Sequence, residues 1–200
     1  MVERQLRARG IEDERVLRAM AEVPRERFLP DERRRDAYRD GAVHIGEGQT
    51  MSQPWIVACM TALLELEGDE RVLEVGTGSG YAAAVISRCC AEVVTIERRR
   101  ALADPARAVL AELGYANVEV RVGDGAAGAP DRAPFRGISV TAAADGGPPA
   151  RLLEQLAPGA PLVCPVRRGT GEELMRFRDG REETVVPVRF VPLVAGDGAE

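Results

Sequence analysis

Three glycines at alternate positions form the stretch of this chain best suited to bind a reactive ligand. Gly76, Gly78 and Gly80 follow the apolar run 72–75 and precede the helix-forming run 81–86. A strand, a glycine turn and a helix make the first half of a βαβ unit, where glycine lets a ligand approach the bare backbone. The start of the helix also offers unpaired N–H groups to that ligand. The pattern therefore predicts a cofactor-binding turn.

Two acidic residues flank this turn and narrow the class of cofactor. Glu74 lies two residues before the first glycine, and Glu97 ends the next strand-like run, 93–96. An acid roughly 20 residues past such a turn is placed to accept hydrogen bonds from ribose hydroxyls. Dinucleotide-binding proteins usually carry G-x-G-x-x-G, whereas this chain has G-x-G-x-G, which resembles the first motif of S-adenosylmethionine-dependent methyltransferases. The spacing disfavours an NAD-dependent oxidoreductase, and a ligand-free glycine turn is the structural alternative.

Further polar positions follow later strand-like runs. Asp124 and Gly125 come after the run 118–122, and Thr141 ends the run 135–141. Ligands of open parallel sheets bind at the carboxyl ends of the strands. We therefore expect these residues beside the glycine turn, with Asp124 placed to accept a hydrogen bond from an adenine amino group. A simple turn aspartate is the alternative for Asp124.

Apolar periodicity predicts the elements that must position these residues. Helices are expected over 1–23, from 55 onward, and over 81–86, 101–113 and 149–157, and 47–54 is predicted to be a loop. Strands are expected over 43–46, 72–75, 93–96, 118–122, 135–141 and 162–166, with a final antiparallel pair over 173–178 and 185–193.

This order of elements predicts an α/β fold. We expect a doubly wound, mainly parallel, Rossmann-like sheet with N-terminal helices and a C-terminal antiparallel strand pair. The 200 residues suit a single domain, in which 1–53 form a helical cap and an active-site loop and 54–200 form the core.

Composition limits the partners. The formal net charge is −5, so no nucleic-acid partner is expected. The four cysteines form no C-x-x-C pair and only one histidine is present, so no metal site is expected. No signal peptide and no apolar run of about 20 residues is evident, which predicts a cytoplasmic protein without a membrane partner. We expect a monomer.

Several motifs, taken together, resemble the protein-L-isoaspartate (D-aspartate) O-methyltransferase family. The most particular are Gly-Gln-Thr-Met-Ser-Gln-Pro at 48–54 and Val-Arg-Phe-Val-Pro-Leu at 188–193, and the remaining matches lie at 1–6, 72–81, 122–125 and 140–144. They span nearly the whole chain in the family's order. The chain departs from the family pattern at Glu47, at 43–44, at 136–137 and at 145–147.

The resemblance implies methyl transfer from S-adenosylmethionine, leaving S-adenosylhomocysteine, to the free α-carboxylate of L-isoaspartyl residues in damaged proteins or peptides. This carboxylate is ionised at neutral pH, so no general base is required. Ser52 is the expected catalytic residue, orienting the carboxylate; an ordinary helix N-cap is its alternative role. The expected cofactor-binding residues are Thr50, Gln53, Glu74, Gly76, Thr77, Gly78, Gly80, Glu97, Arg98, Asp124, Gly125 and Thr141. The expected substrate-binding residues are Gln49, Thr50, Ser52, Arg189, Phe190 and Val191.

Two other functions stay open at this point. The first is an isoaspartate-type methyltransferase dedicated to one ribosomally made peptide, which the sequence separates poorly from a general repair enzyme. The second is an S-adenosylmethionine-binding protein that has lost catalysis, which the departures at 136–137 and 145–147 keep open.

Overall fold

A mainly parallel sheet lies at the centre of the protein, whose computed structural model describes residues 1–196. Its strands are β3 (Arg71–Val75), β4 (Glu92–Glu97), β5 (Val118–Val122), β6 (Gly137–Val140), β7 (Ala144–Asp145), β8 (Leu162–Arg168), β9 (Gly171–Arg178) and β10 (Arg181–Pro187). The order across the sheet is β10-β9-β8-β6-β3-β4-β5, and β7 pairs with β8. Pairing is parallel from β5 to β8 and antiparallel among β8, β9 and β10. The predicted fold class is confirmed.

The central strands are apolar because both faces of the sheet are covered. Successive side chains of a strand point to opposite faces, so Val72 and Val93 join one apolar cluster while Leu73 and Val94 join the other. All four side chains are fully buried. This packing fixes the register of β3 against β4, and the ends of the two strands come side by side.

The helices cover the two faces unequally. They are α1 (Glu14–Glu22), α2 (Pro54–Ala62), α3 (Tyr81–Ser87), α4 (Arg100–Glu112) and α5 (Ala150–Leu153). Leu17, Val57 and Leu110 belong to the first cluster, so α1, α2 and α4 pack on that side, whereas Leu152 brings α5 to the other. No helix of the part described is long and apolar enough to cross a membrane.

Residues 1–23 are largely helical, as predicted, but they do not form one continuous helix. The chain forms short helical turns at Val2–Leu6 and Arg7–Arg9, and Gly10 then adopts a left-handed conformation with φ of 85°. Only afterwards does α1 begin, where the Asp13 side chain accepts hydrogen bonds from the backbone N–H groups of Arg15 and Val16. A glycine break followed by a strong N-cap separates the two segments.

Residues 47–54 are not the simple loop that the sequence predicted. β1 (Val43–Gly46) pairs with β2 (Gln49–Met51) in an antiparallel hairpin, with Val43 opposite Met51. Its tip is formed by Glu47 and Gly48, whose φ values of 52° and 67° suit a tight hairpin turn. β2 could not be predicted from apolar alternation, because the stretch is polar and glycine-rich and most of the β2 side chains do not enter the core.

The C-terminal prediction was also partly wrong. The second antiparallel strand is β10, Arg181–Pro187, rather than 185–193. After Pro187 the chain leaves the sheet edge, and the Val191 carbonyl accepts from Ala143 N–H while Leu193 N–H donates to the Ala143 carbonyl. These bonds direct the C-terminal segment toward the ends of the parallel strands. The helix predicted over 149–157 is limited to α5, and β8 extends to Arg168.

Candidate functional site

A cavity opens at the carboxyl ends of β3, β4 and β6, where the order of the strands brings the predicted motifs together. Its volume is ≈ 280 Å³, near the lower limit of the roughly 300–1,000 Å³ usual for small-molecule sites. The lining residues are Gly48, Gln49, Thr50, Met51, Ser52, Val57, Val75, Gly76, Thr77, Gly78, Ser79, Tyr81, Ala82, Ile96, Glu97, Arg98, Arg99, Gly125, Thr141, Ala142, Val191, Pro192, Leu193 and Val194.

The three glycines of the turn have different surroundings. A Cβ on Gly76 would lie 2.3 Å from Thr141 Oγ1, whereas one on Gly78 would meet only Ile45 Cδ1, at 3.5 Å. Gly80 does not line the cavity; a Cβ there would press on Leu110 in α4 at 3.2 Å. Gly76 therefore makes room for the end of β6, Gly78 leaves the cavity wall bare, and Gly80 serves helix packing.

The Glu97 carboxylate links the glycine turn to the start of α4. Its Oε2 accepts a hydrogen bond from Gly78 N–H at 2.9 Å, and its Oε1 accepts one from Arg99 N–H at 3.0 Å. The side chain is buried yet lines the cavity. Because each carboxylate oxygen can accept more than one bond, Glu97 can hold the turn and still accept a donor from a ligand.

Glu74 lies beneath the cavity rather than in its wall. It is fully buried, its Oε2 accepts from the Thr95 hydroxyl at 2.6 Å, and that hydroxyl lies 2.7 Å from the hydroxyl of Thr77. Burial raises the pKa of Glu74 to about 8. Burial thus favours the neutral form of the carboxyl, which reaches the cavity only through Thr95 and Thr77.

Asp124 turns its carboxylate toward the backbone. Oδ1 accepts from Ala126 N–H at 2.9 Å, and Oδ2 accepts from Gly196 N–H at 2.9 Å. Asp124 does not line the cavity, but its neighbour Gly125 does, and a Cβ on Gly125 would lie 2.4 Å from Val75 Cγ1. Asp124 therefore closes a turn and fastens the C-terminal segment in this structure.

The β1–β2 hairpin and the residue after it build the opposite wall. Gln49, Thr50 and Ser52 line the cavity, as the sequence predicted, together with Met51. Gln53 points away and donates to Asp40 Oδ1 at 2.6 Å. Gln53 rather than Ser52 is the N-cap residue of α2, and it makes no side-chain capping bond, so the capping role considered for Ser52 was wrong.

The C-terminal segment supplies the third wall. Val191 lines the cavity, whereas Arg189 is exposed and Phe190 is half-buried; neither reaches the lining. The Phe190 N–H donates to Glu172 Oε2 at 2.8 Å. Of the three residues predicted here for the substrate, the structure brings only Val191 to the cavity.

Charged side chains lie at the rim. Arg98 lines the cavity as predicted, and Arg99 beside it reaches Glu47 at the hairpin tip, with 3.4 Å between Nη1 and Oε2. This pair joins the start of α4 to the hairpin across the cavity, and its two side chains are 41% and 46% exposed. Such an exposed pair contributes about 1 kcal/mol or less.

A buried arginine, which the sequence did not indicate, lies behind the cavity wall that contains Ser52. Arg25 Nη2 donates to the Ser52 carbonyl at 2.6 Å, and its guanidinium lies 4.6 Å from the ring centroid of Tyr81. Arg25 comes from the polar stretch 24–30, where nothing in the spacing distinguishes a buried arginine from exposed ones. Tyr81, the first residue of α3, was part of the motif, but the sequence assigned it no role.

The assembled cavity suits a ligand with a hydroxyl-bearing part and a reactive part. Bare backbone at Gly78 and the carboxylate of Glu97 can receive a ribose-like group on one wall. On the other wall, the Ser52 hydroxyl can donate to an anionic group. No histidine lines the cavity within residues 1–196, so the lining offers no base of the kind most common in proton abstraction.

Comparison with known proteins gives consistent results. A sequence model of the family protein-L-isoaspartate(D-aspartate) O-methyltransferase matches residues 1–198. A protein-L-isoaspartate O-methyltransferase of Roseiflexus sp. (strain RS-1) is 53% identical over 192 residues, which cover 94% of this chain and 88% of the relative. A protein-L-isoaspartate O-methyltransferase 1 of Rhodopseudomonas palustris (strain HaA2) is 52% identical, covering 99% of this chain and 83% of the relative.

Two of the solved structures that resemble this chain do so over nearly its whole length. One protein-L-isoaspartate O-methyltransferase has a TM-score of 0.86 and 29% identity, covering 98% of this chain and 67% of the other. A Plasmodium falciparum structure in complex with S-adenosyl-L-homocysteine has a TM-score of 0.82, 23% identity and 96% coverage of both chains, and supports the fold. On the family match and the close relatives, this chain belongs to the protein-L-isoaspartate(D-aspartate) O-methyltransferase family.

Proposed function

We propose that this protein transfers a methyl group from S-adenosylmethionine to the free α-carboxylate of L-isoaspartyl residues in proteins or peptides. One observation carries the proposal beyond family membership. The glycine turn with Glu97 and the Ser52 wall face a common cavity, although they come from distant parts of the sequence. In this proposal, a cofactor site and a carboxylate site are thus adjacent.

The cofactor half of the proposal rests on the wall formed by Gly76, Thr77, Gly78 and Glu97. Gly78 leaves the backbone uncovered, since a Cβ there would meet no atom closer than Ile45 Cδ1 at 3.5 Å. Glu97 would accept the ribose hydroxyls while holding Gly78 N–H. When bound, S-adenosylmethionine supplies an electrophilic methyl group, which a carboxylate oxygen can accept while the sulfur keeps the electron pair of the broken bond.

The substrate half rests on Ser52 and its neighbours in the hairpin wall. An isoaspartyl α-carboxylate has a pKa near 3.5 and is ionised at neutral pH, so it needs no base to become nucleophilic. The protein has to hold one carboxylate oxygen toward the methyl group and exclude water. In this proposal the Ser52 hydroxyl donates to the carboxylate, while Gln49, Thr50 and Val191 contact the surrounding peptide.

Other predicted residues act from behind the wall in this proposal. Glu74 supports the cofactor side through Thr95 and Thr77. Asp124 and Gly80 shape the backbone of the cofactor side, and Gln53 fixes the start of α2 through Asp40. Thr141 does line the cavity. Its hydroxyl lies 2.9 Å from the Val75 carbonyl oxygen and 2.7 Å from the Gly76 carbonyl oxygen, and it shares its single proton between them, which holds the end of β3.

The test is methyl transfer from labelled S-adenosylmethionine to two peptides that differ only in an Asp or an isoAsp residue. We expect label on the isoAsp peptide alone, as a base-labile methyl ester. Equal labelling of both peptides, or no labelling by protein that binds S-adenosylhomocysteine, would contradict the proposal. If the same assay is applied to a Glu97→Gln variant, Glu92→Gln is its matched control, because Glu92 lies on the same strand as Glu97 but at the end remote from the cavity.

A further inference from the structure

Arg25 is the largest side chain that the described part of the protein buries completely. Its Nε donates to the Ala37 carbonyl at 2.6 Å, and its Nη2 donates to the Ser52 carbonyl at 2.6 Å. Its guanidinium stacks on the ring of Tyr81, 4.6 Å from the ring centroid. A single side chain thus ties together three separate segments of the chain.

The burial of this arginine opposes folding stability. Nη1 has no hydrogen-bond partner, and across residues 1–196 no carboxylate forms an ion pair with Arg25. Burial lowers the pKa of the Arg25 guanidinium, because the buried cation loses hydration. Apolar side chains of similar volume often replace even buried ion pairs with no loss of stability. The stacking on Tyr81 and the hydrogen bonds to two neutral carbonyls do not by themselves explain why a cation occupies this buried position.

The three partners suggest what the arginine provides. Ser52 lines the cavity, and Tyr81 lines it from the start of α3, directly after the glycine turn. Ala37 follows the 3₁₀ turn Asp31–Asp36 in the connection to β1. The planar guanidinium fixes two carbonyls at a set angle, which an ammonium or an apolar group cannot do. Arg25 therefore connects Ser52 to Tyr81, the residue that follows the glycine turn.

We propose that Arg25 is a positioning residue for methyl transfer, holding the Ser52 backbone so that its hydroxyl meets the substrate carboxylate. The inference rests on the proposed function and adds to it a residue that does not line the cavity. Small displacements of an orienting group cost large factors in rate, because the reaction depends on alignment rather than on a base. The effect should thus fall on kcat rather than on cofactor affinity.

The experiment compares Arg25→Met, Arg25→Lys, Ser52→Ala and the double variant Arg25→Met/Ser52→Ala. Arg25→Met fills most of the volume of the arginine side chain but lacks the guanidinium and its donors. We expect kcat for an isoAsp peptide to fall roughly 10–100-fold. Affinity for S-adenosylhomocysteine, measured by calorimetry, should stay within about 2-fold. Arg25→Lys keeps the charge but places its donors on a single ammonium nitrogen, and it should recover part of the loss. Leu152→Ala, in the apolar cluster that contains α5, is the control for a purely structural defect.

The double variant tests whether Arg25 acts through Ser52. If it does, Arg25→Met should slow the Ser52→Ala enzyme by less than about 2-fold, because the group it positions is gone. If the double variant instead lost kcat by the product of the two single-variant factors, the inference would be overturned. So would normal turnover in Arg25→Met, or a loss of turnover in Leu152→Ala equal to that in Arg25→Met at matched stability.

The Arg25→Lys and Ser52→Ala variants separate failure of the inference from failure of folding or of the proposed function. If Arg25→Met does not fold, Arg25→Lys carries the test: reduced kcat with retained cofactor affinity supports the inference, and unchanged kcat overturns it. If Ser52→Ala turns over normally, the proposed role of Ser52 fails, and the inference fails with it. If Ser52→Ala is slow while both Arg25 variants are normal, the inference alone fails.

Discussion

The two facing walls of the cavity are built in contrasting ways. The turn wall, Gly76–Ser79 with Glu97, consists largely of backbone at the ends of adjacent parallel strands. Gly76 N–H donates to the Ile96 carbonyl at 2.8 Å, and Gly78 N–H donates to Glu97. The hairpin wall, formed by the β1–β2 hairpin and Ser52, depends on side chains from distant parts of the chain. Arg25 holds its end at Ser52, and Arg99 contacts its tip at Glu47.

This difference separates binding from reaction. The turn wall is fixed by the sheet, whose central strands are buried on both faces, and a preformed wall suits a cofactor used in every turnover. The β1–β2 hairpin forms a separate two-stranded sheet that does not pair with the central sheet, so its position is more easily changed without unfolding the core. We therefore expect turn-wall variants to lose cofactor affinity or stability, and hairpin-wall variants to lose turnover.

Gly76→Ala should have the largest effect on the turn wall. Its Cβ would lie 2.3 Å from Thr141 Oγ1 at a backbone φ of 95°, which suggests a stability loss of about 2–5 kcal/mol from overpacking and strain combined. Gly78→Ala is the matched comparison, because its Cβ has an ordinary contact and costs only backbone strain, about 1–2 kcal/mol. Chemical denaturation measures both. Equal losses would show that the two glycines do not differ as described.

Glu97→Gln should weaken cofactor binding while leaving the fold intact. Both carboxylate oxygens accept backbone N–H groups, so an amide would place an NH₂ donor against one of them. We expect S-adenosylhomocysteine affinity to fall by about 1.5–3 kcal/mol, or roughly 10–100-fold. Titration calorimetry measures this, with Glu92→Gln as the control. Unchanged affinity in Glu97→Gln would remove Glu97 from the cofactor site.

Glu74 should make stability depend on pH from beneath the turn wall. Burial raises the pKa of Glu74 from the ordinary 4.5 to about 8, so the folded state keeps a proton that the unfolded state releases. The stabilising contribution is complete below pH 4.5 and is lost as the pH rises through about 8. The slope is at most about 1.4 kcal/mol per pH unit.

Glu74→Gln mimics the neutral carboxyl and should remove this slope. We expect the variant to gain stability relative to the native protein as the pH rises from about 5 to about 8. Urea unfolding at several pH values measures the difference. Parallel pH profiles for the two proteins would contradict a neutral Glu74 in the folded state.

The sequence was sufficient to predict the turn wall because its geometry is local. In a βαβ unit, an apolar strand leads directly into the glycine turn, and the acid that ends the next strand lies beside that turn. The relative positions of these features therefore follow from their spacing in the sequence. The structure confirms the mainly parallel sheet and brings Gly76, Gly78 and Glu97 to one cavity. Even here, Glu74 and Asp124 turned out to lie outside the lining, because spacing does not reveal which way a polar side chain points.

The hairpin wall and the C-terminal segment were harder to predict because their partners are remote in sequence. The β2 strand lacks apolar alternation, and its pairing with β1 depends on the turn at Glu47 and Gly48. The departure of the chain from the sheet after Pro187 depends on bonds to Ala143. Arg25 is separated from Ser52 by 27 residues, and no local pattern encodes that contact.

Ser52→Ala tests most directly the claim that the two walls have separate roles. Cofactor affinity, unfolding free energy and the rate of methyl transfer to an isoAsp peptide should be measured on one preparation. We expect the rate to fall by roughly one to two decades, a loss of about 1–3 kcal/mol in transition-state stabilisation. Cofactor affinity and stability should remain near those of the native protein, because Ser52 does not cap α2. Normal turnover, or a loss of cofactor affinity as large as the loss of rate, would contradict the account.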